Sequence, residues 1–461
     1  LEDEATKHLG FEMGQSGIND HLQSLVGDRG LLNRVTSAVR GSSAAETRSD
    51  TIMQIASSVS EKLPAVRESL AGMFHQLTDM VNNSENEGSA SERETRVTAA
   101  TRNQPGWSQL EIQWETVDLS LEHLHNDLAS LNTSLEGLEN ANVSGYDGLL
   151  LETLNGLQRN TEARQQLMEF IPQPSPGRVY WVSRSERLGD LVLHSAPLHV
   201  GEHLDKLLYS QTETVVLTSA TLSTKGTFDH IIERTGFGDA DELLLGSPFD
   251  YPRSAMLYVP IDMPEPNNWA YQTAIEQAII DAALTTGGRT MALFTSHAAL
   301  QTTASAIRGS LQSQGIDVLA QRLDGSPHQL VRTFVENPKS ILLGTASFWE
   351  GIDLAGDSLK VLLVARLPFT VPTEPVFKSR SELYEDSFNG FAVPQAILRI
   401  RQGFGRLIRT KTDRGAVVIL DSRIVSRRYG KAFVDSLPPV TFKTGKLHEM
   451  SDQISDWINH V

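Results

Sequence analysis

Between Thr51 and Val81 the apolar residues Ile52, Ile55, Val59, Leu63, Val66, Leu70, Met73, Leu77 and Met80 recur at alternating steps of three and four. That period sets them in one stripe along a long helix. A second stripe, Leu121, Leu124, Leu128, Leu131, Leu135 and Leu138, keeps the same spacing. The two are expected to form a helical hairpin whose seams bury one another. Between them residues 82–89 read as a polar loop, and the alternation in 109–115 predicts a strand. Pro172-Gln173-Pro174-Ser175-Pro176-Gly177 cannot continue a helix and marks a boundary. After it come short β-rich runs at 178–183, 191–195 and 214–218, the last of the buried parallel type. Strands at 290–294, 341–344, 361–364 and 416–420 then alternate with helices at 298–312 and 393–402. This is the α/β pattern with a parallel sheet, in which sites gather at the carboxyl ends of strands.

The turns after these strands carry the candidate chemistry. Thr218-Ser219-Ala220-Thr221-Leu222 and Phe294-Thr295-Ser296-His297 place hydroxyls at strand ends; taken alone the first reads as a helix N-cap before a phosphate or loop contact, and the second suits a backbone phosphate or a cap equally. His297 has no partner pattern for metal or acid–base work and reads as structural. Residues 344–353, Gly-Thr-Ala-Ser-Phe-Trp-Glu-Gly-Ile-Asp, are richer than packing requires. Thr345 and Ser347 can contact nucleic-acid phosphates, and Asp353 a ribose hydroxyl or a metal-bound water. Trp349 either stacks on a base or plugs the sheet edge. Gln402-Gly403-Phe404-Gly405-Arg406-Leu407-Ile408-Arg409 sets two guanidiniums one helical turn apart beside glycines that allow close backbone approach. Such a pair suits a transferring phosphoryl group, whereas an ordinary basic surface helix is the plainer use of the spacing.

At 461 residues two or three domains are expected. The sequence has no run of eighteen apolar residues and no charged-then-apolar start, so neither a membrane span nor a secretion signal is read, and a cytoplasmic location is the default. With no cysteine, these residues hold no disulfide, thiol nucleophile or thiolate-bound iron–sulfur cluster. They show no metal-ligating pattern either. The net charge of −17 sits awkwardly with nucleic acid, but through Phe170 there are 26 acidic against 12 basic residues, leaving 31 against 28 beyond it. Between Gln395 and Lys431 ten basic residues face only Asp413 and Asp421. A local basic surface is compatible with the acidic total.

Taken in order, 218–222, 294–296, 344–353 and 402–409 resemble motifs III, IV, V and VI of superfamily-two helicases of the XPD type and their bacterial DinG-like branch. Arg366-Leu367-Pro368-Phe369 ahead of Pro372 and Pro375 is a further similar segment. The likeness covers over half the chain, from Arg178 to about Tyr429. It implies a RecA-like second motor lobe at 225–461, the end of a first lobe with motif III at 175–224, a mainly helical arch insertion at 19–174, and a first-lobe remnant at 1–18. Leu1-Glu2-Asp3-Glu4-Ala5 looks like the residues that follow the family's Asp-Glu-Ala-His box, so the chain is expected to begin just after it.

The resemblance further implies an ATP-dependent DNA helicase moving 5′ to 3′ on single-stranded DNA and unwinding forked duplex in DNA repair. Arg406 and Arg409 would reach the γ-phosphate. Gln402, Gly405, Gly351 and Asp353 would place the nucleotide. Ser219 and Thr221 would couple lobe closure to movement of the strand, gripped by Thr295, Ser296, Thr345 and Ser347. No Gly-x-x-x-x-Gly-Lys-Ser/Thr loop occurs here, so the phosphate cradle and most ligands of Mg²⁺ are expected in an N-terminal half of the motor, and this chain alone is expected not to hydrolyse ATP. Whether an iron–sulfur cluster lies upstream stays open. The alternative is a non-catalytic single-strand and partner-binding fragment; a different α/β nucleotide enzyme ranks last, for want of a phosphate loop.

Overall fold

The computed structural model describes residues 2–85, 94–185, 189–224, 226–349 and 356–459. The chain divides into two compact units, Leu1–Leu204 with Pro372–Arg380, and Asp205–Val371 with Ser381–Val461.

The first unit is built on long helices, α1 (Gln15–Leu25), α2 (Leu31–Arg40), α3 (Glu46–Glu85), α4 (Pro105–Glu136) and α5 (Tyr146–Phe170). The stripe on α3 is buried as its period requires, with Ile52, Val59, Leu63, Val66, Leu70, Met73 and Leu77 almost fully enclosed. It packs on the Leu121–Leu135 stripe of α4, and α5 covers the other side of α4. Asn160, buried on α5, donates to the Leu121 carbonyl at 2.9 Å and ties the two helices.

The strand expected at 109–115 is a correction: those residues are helix. Trp107, Leu110, Trp114, Val117 and Leu121 follow the helical period and are buried, while Ile112, which made the alternation, is 66% exposed. The strands of this unit form an antiparallel sheet ordered β1 (Phe11–Gly14), β4 (Leu191–Pro197), β3 (Arg178–Arg184), β2 (Glu94–Arg96). Met13, Tyr180, Val182, Leu191 and Leu193 share one core with the helices. The Pro172–Gly177 stretch is therefore a turn inside this unit. Arg102 closes the neighbouring helix end, donating to the Phe170 and Ile171 carbonyls at 2.7 and 2.8 Å with its guanidinium 4.7 Å from the Trp107 ring. A cation there complements the negative end of α5.

The second unit carries a seven-stranded sheet, all parallel, ordered β11 (Thr441–Gly445), β5 (Ala255–Pro260), β10 (Gly415–Ile419), β9 (Val361–Val364), β6 (Thr290–Leu293), β8 (Ser340–Gly344), β7 (Asp317–Ala320). Its strands read as continuous apolar runs because both faces are covered. Along β10, Val417 and Ile419 enter one core and Ala416 and Val418 the other. Helices α6 (Ala270–Thr286), α7 (His297–Gln312) and α11 (Met450–Asn459) cover one face. Helices α8 (Pro327–Glu336), α9 (Ala346–Trp349) and α10 (Val393–Phe404) cover the other.

The strand expected at 214–218 is a second correction. That run is irregular and largely exposed, Val216 by 77%, and it pairs with no strand among the described residues. A β-branched sequence supplies the side chains for a central strand, but the ladder needs neighbours.

A candidate nucleotide and strand site at the sheet's carboxyl edge

The single helical turn expected to join Arg406 and Arg409 is a third correction. Helix α10 ends at Phe404, and residues 405–407 form a turn, closed by bonds from Gly405 N–H to the Arg401 carbonyl and from Arg406 N–H to the Gly403 carbonyl, both 3.0 Å. Asp413 then accepts the N–H groups of Arg409 and Thr410 at 2.7 and 2.8 Å, drawing the chain into a loop. Leu407 and Ile408, both buried, pin the turn to the core. Both arginines are half-buried, one on each side of this apolar pair.

Gly403 sits inside α10 where a Cβ would meet Trp349 Cε3 at 3.0 Å and Leu293 Cδ1 at 3.2 Å. Its bareness lets α10 lie directly on Trp349, which is 3% exposed and so plugs the core. Arg406 Nη2 donates to the Trp349 carbonyl at 3.2 Å, fastening the turn to the end of α9. Gln402 Oε1 is buried on the same stretch and takes no hydrogen bond among the described residues. Gly405 is exposed, and a Cβ there would meet nothing nearer than 3.5 Å, all of it preceding-turn backbone, so close approach is a property of Gly403 alone. Gly351 and Asp353 lie outside the described residues.

At the ends of β6 and its neighbour β8 the hydroxyls converge. Thr295 and Ser296 are exposed at the end of β6, and Ser296 caps α7 by accepting the Ala299 N–H at 3.2 Å. Thr345, at the end of β8, is buried, and both its N–H and its hydroxyl turn onto Gln321 Oε1, at 2.8 and 3.0 Å. The Gln321 amide donates in turn to Ser347 Oγ at 2.8 Å. One glutamine at the end of β7 thus satisfies three groups of the following loop. His297 Nε2 lies 3.1 Å from Thr345 Oγ1. Since that hydroxyl donates to Gln321, the ring donates from Nε2. Burial first, and the charge of Arg322 second, hold the His297 pKa below its ordinary value.

Ser219 and Thr221 lie on the irregular 213–223 segment, where Thr221 N–H donates to Ser219 Oγ at 3.2 Å. Arg401 reaches this segment from α10, donating to the Ala220 carbonyl at 2.9 Å and to the Ser223 carbonyl. Burial lowers its pKa, and the two carbonyls replace its lost hydration. Arg399 similarly donates to the Pro368 carbonyl and to Thr370 Oγ1, holding the segment after β9.

The sequence reading passed over Gln321 and Arg401. Gln321 follows Asp-Val-Leu-Ala, a strand of four residues too short to stand out, so its strand-end position went unread. Arg401 was legible only as one of many basic residues.

Hydroxyl, amide and guanidinium groups thus line the carboxyl edge of a fully parallel sheet, where α/β lobes take their ligands. The helicase C-terminal domain family matches residues 279–440. The chain is 34% identical over 292 residues to the ATP-dependent DNA helicase YoaA of Haemophilus influenzae, covering 62% of this chain and 45% of that protein. It is 32% identical over 362 residues to the 3'-5' exonuclease DinG of Bacillus subtilis, covering 75% and 38%. A solved XPD helicase structure superposes with a TM-score of 0.51 at 14% identity, over 96% of this chain and 67% of that one, a likeness of fold. Residues 279–440 thus match a helicase C-terminal domain, the chain is similar to the XPD/DinG-like helicases of superfamily two, and its second unit has the RecA-like fold. It spans under half the length of the YoaA and DinG relatives.

Proposed function

We propose that this chain supplies the second motor lobe, and the helical arch, of an ATP-dependent DNA helicase of DinG/YoaA type. The observation that carries this reading is the joint of motifs V and VI: Gly403 seats α10 on Trp349, Arg406 is fastened to the Trp349 carbonyl, and Gln402 keeps a buried acceptor open beside them. In the proposed mechanism Arg406 and Arg409 stabilise charge on the γ-phosphate, and Gln402 and Asp353 orient the nucleotide. In this reading the carboxylate for Mg²⁺ and the phosphate cradle are supplied by residues outside this chain, whose sequence carries no Gly-x-x-x-x-Gly-Lys-Ser/Thr loop. The ion there would neutralise phosphate charge.

Thr295 and Ser296 face solvent and take the strand's phosphates, while Thr345 braces their neighbours from within. Such contacts read no base edges, so little sequence preference is expected. Arg401 couples the Ser219–Thr221 segment to α10. The exposed 214–218 run, with Leu243, Leu244 and Leu245 at 74%, 56% and 75% exposure, supports a first lobe completed by other residues. We assign 19–174 to the arch and translocation to the 5′–3′ sense.

ATPase activity with and without single-stranded DNA, for this chain and for the complete protein, tests the reading. The complete protein is expected to turn over ATP under DNA stimulation, Arg406→Ala to lower kcat by about 10³-fold or more, and this chain alone to be silent. A fully active Arg406→Ala protein, or turnover by this chain alone, overturns it. The strongly acidic arch favours a second reading, a non-catalytic strand and partner-binding fragment, which predicts DNA binding indifferent to nucleotide.

A further inference from the structure

We propose that Arg322 is a strand-phosphate contact, added to the edge formed by Thr295 and Ser296. The inference rests on the single-strand reading above and names a residue that no motif assigns. Three non-glycine residues among those described have positive φ: Asn142 at 51°, Arg289 at 45° and Arg322 at 66°. Asparagine tolerates that region, and Arg289 is tied to Asp357 by an ion pair. Arg322 has neither excuse. Its side chain is exposed and makes no hydrogen bond or ion pair among the described residues. The nearby carboxylate of Asp324 is already taken by Arg308 and the Ala320 N–H, each at 2.8 Å.

Its position says what the charge is for. Arg322 directly follows Gln321, whose amide locks Thr345 and Ser347, and its guanidinium is close enough to depress the pKa of His297. His297 opens α7 immediately after Ser296, so this cation stands beside the ends of β6 and β8 as well as β7. It adds a cation next to Thr295 and Ser296, whose own groups are neutral hydroxyls. A residue held there at a backbone cost, unpartnered, beside outward hydroxyls and a helix start, fits a phosphodiester oxygen.

The test uses the complete protein and fluorescent oligo-dT, with binding titrated from 50 to 300 mM KCl. Glycine relieves the backbone and removes the charge, whereas lysine keeps both. Arg322→Gly is expected to raise Tm by about 2 °C. It is also expected to weaken binding about threefold to tenfold and to shallow the log Kd against log salt slope by about 0.7, one single-strand phosphate's worth. Arg322→Lys is expected to keep the wild-type slope. Wild-type affinity and slope in Arg322→Gly overturn the proposal, as does an equal loss in Arg322→Lys. If the wild-type protein shows no salt-dependent binding of oligo-dT, the strand reading itself fails and takes this inference with it.

Discussion

Gln321 concentrates more of the site's order than any residue with a phosphate to touch. Its Oε1 accepts the buried Thr345 N–H and hydroxyl, and its Nε2 donates to Ser347. Gln321→Ala leaves that N–H buried without an acceptor, which costs about 1–3 kcal/mol. Gln321→Glu keeps an acceptor for Thr345 but loses the donation to Ser347 and buries a carboxylate, so it should also be less stable than wild type. Chemical denaturation of this chain reads the order directly, and an alanine variant as stable as wild type would remove Gln321 from the account. Motif residues were legible because their types are unusual for packing. The residue that holds them was not, since a glutamine after a four-residue strand differs in no local way from any surface glutamine.

At the level of elements, the contact of α10 with α9 turns on one missing methyl group. By helix propensity alone Gly403→Ala should stabilise α10 by about 1 kcal/mol. Packing points the other way. The new methyl would stand 3.0 Å from the ring of Trp349, which is enclosed and has little room to retreat. Overpacking of this kind costs about 1–3 kcal/mol, so a net loss is expected, with Arg406 displaced along with its carbonyl partner. Gly405→Ala, at φ −61° and in open surroundings, should be tolerated. A Gly403→Ala chain more stable than wild type would contradict the contact.

The elements themselves divide by the same logic. Long period-3.6 stripes on α3 and α4 were read correctly because each heptad repeats the signal. The 109–115 alternation failed because seven residues fit both periods until Trp107 and Val117 are counted with them. The 214–218 run failed for a different reason: its sequence specifies a strand, but a strand forms only beside a partner, and none pairs with it among the described residues.

For the molecule as a whole, the first unit carries a buried acid-sensitive group of its own. His21, buried in the first unit, is held down to about 4 by burial and then by Arg159. Unfolded, it takes its proton near 6.5. Between those values the unfolded chain binds more protons, so this contribution is present above pH 6.5 and is lost as pH falls toward 4, up to about 3 kcal/mol. Urea midpoints of the first unit at pH 7 and 4.5 should fall less for His21→Gln than for wild type. An equal fall in both would assign the acid sensitivity elsewhere. The class of each unit, helical first and parallel α/β second, was readable from the texture of the chain. The place of the division was not, because the antiparallel strands at 178–197 return to the helices' core instead of beginning the next unit.

The order of the parallel sheet also fixes a schedule for synthesis. Strand β5, enclosed along its whole length, lies between β10 and β11, the last two strands of the chain. From its end at Pro260 to the start of β10 at Gly415 the ribosome must add about 155 residues, roughly 8–30 s at cellular elongation rates. Throughout that interval Met256, Leu257, Tyr258 and Val259 have no ladder to join. The earliest strand of the lobe is thus the last to be sealed, and the nascent chain needs shelter from aggregation where its final centre will be.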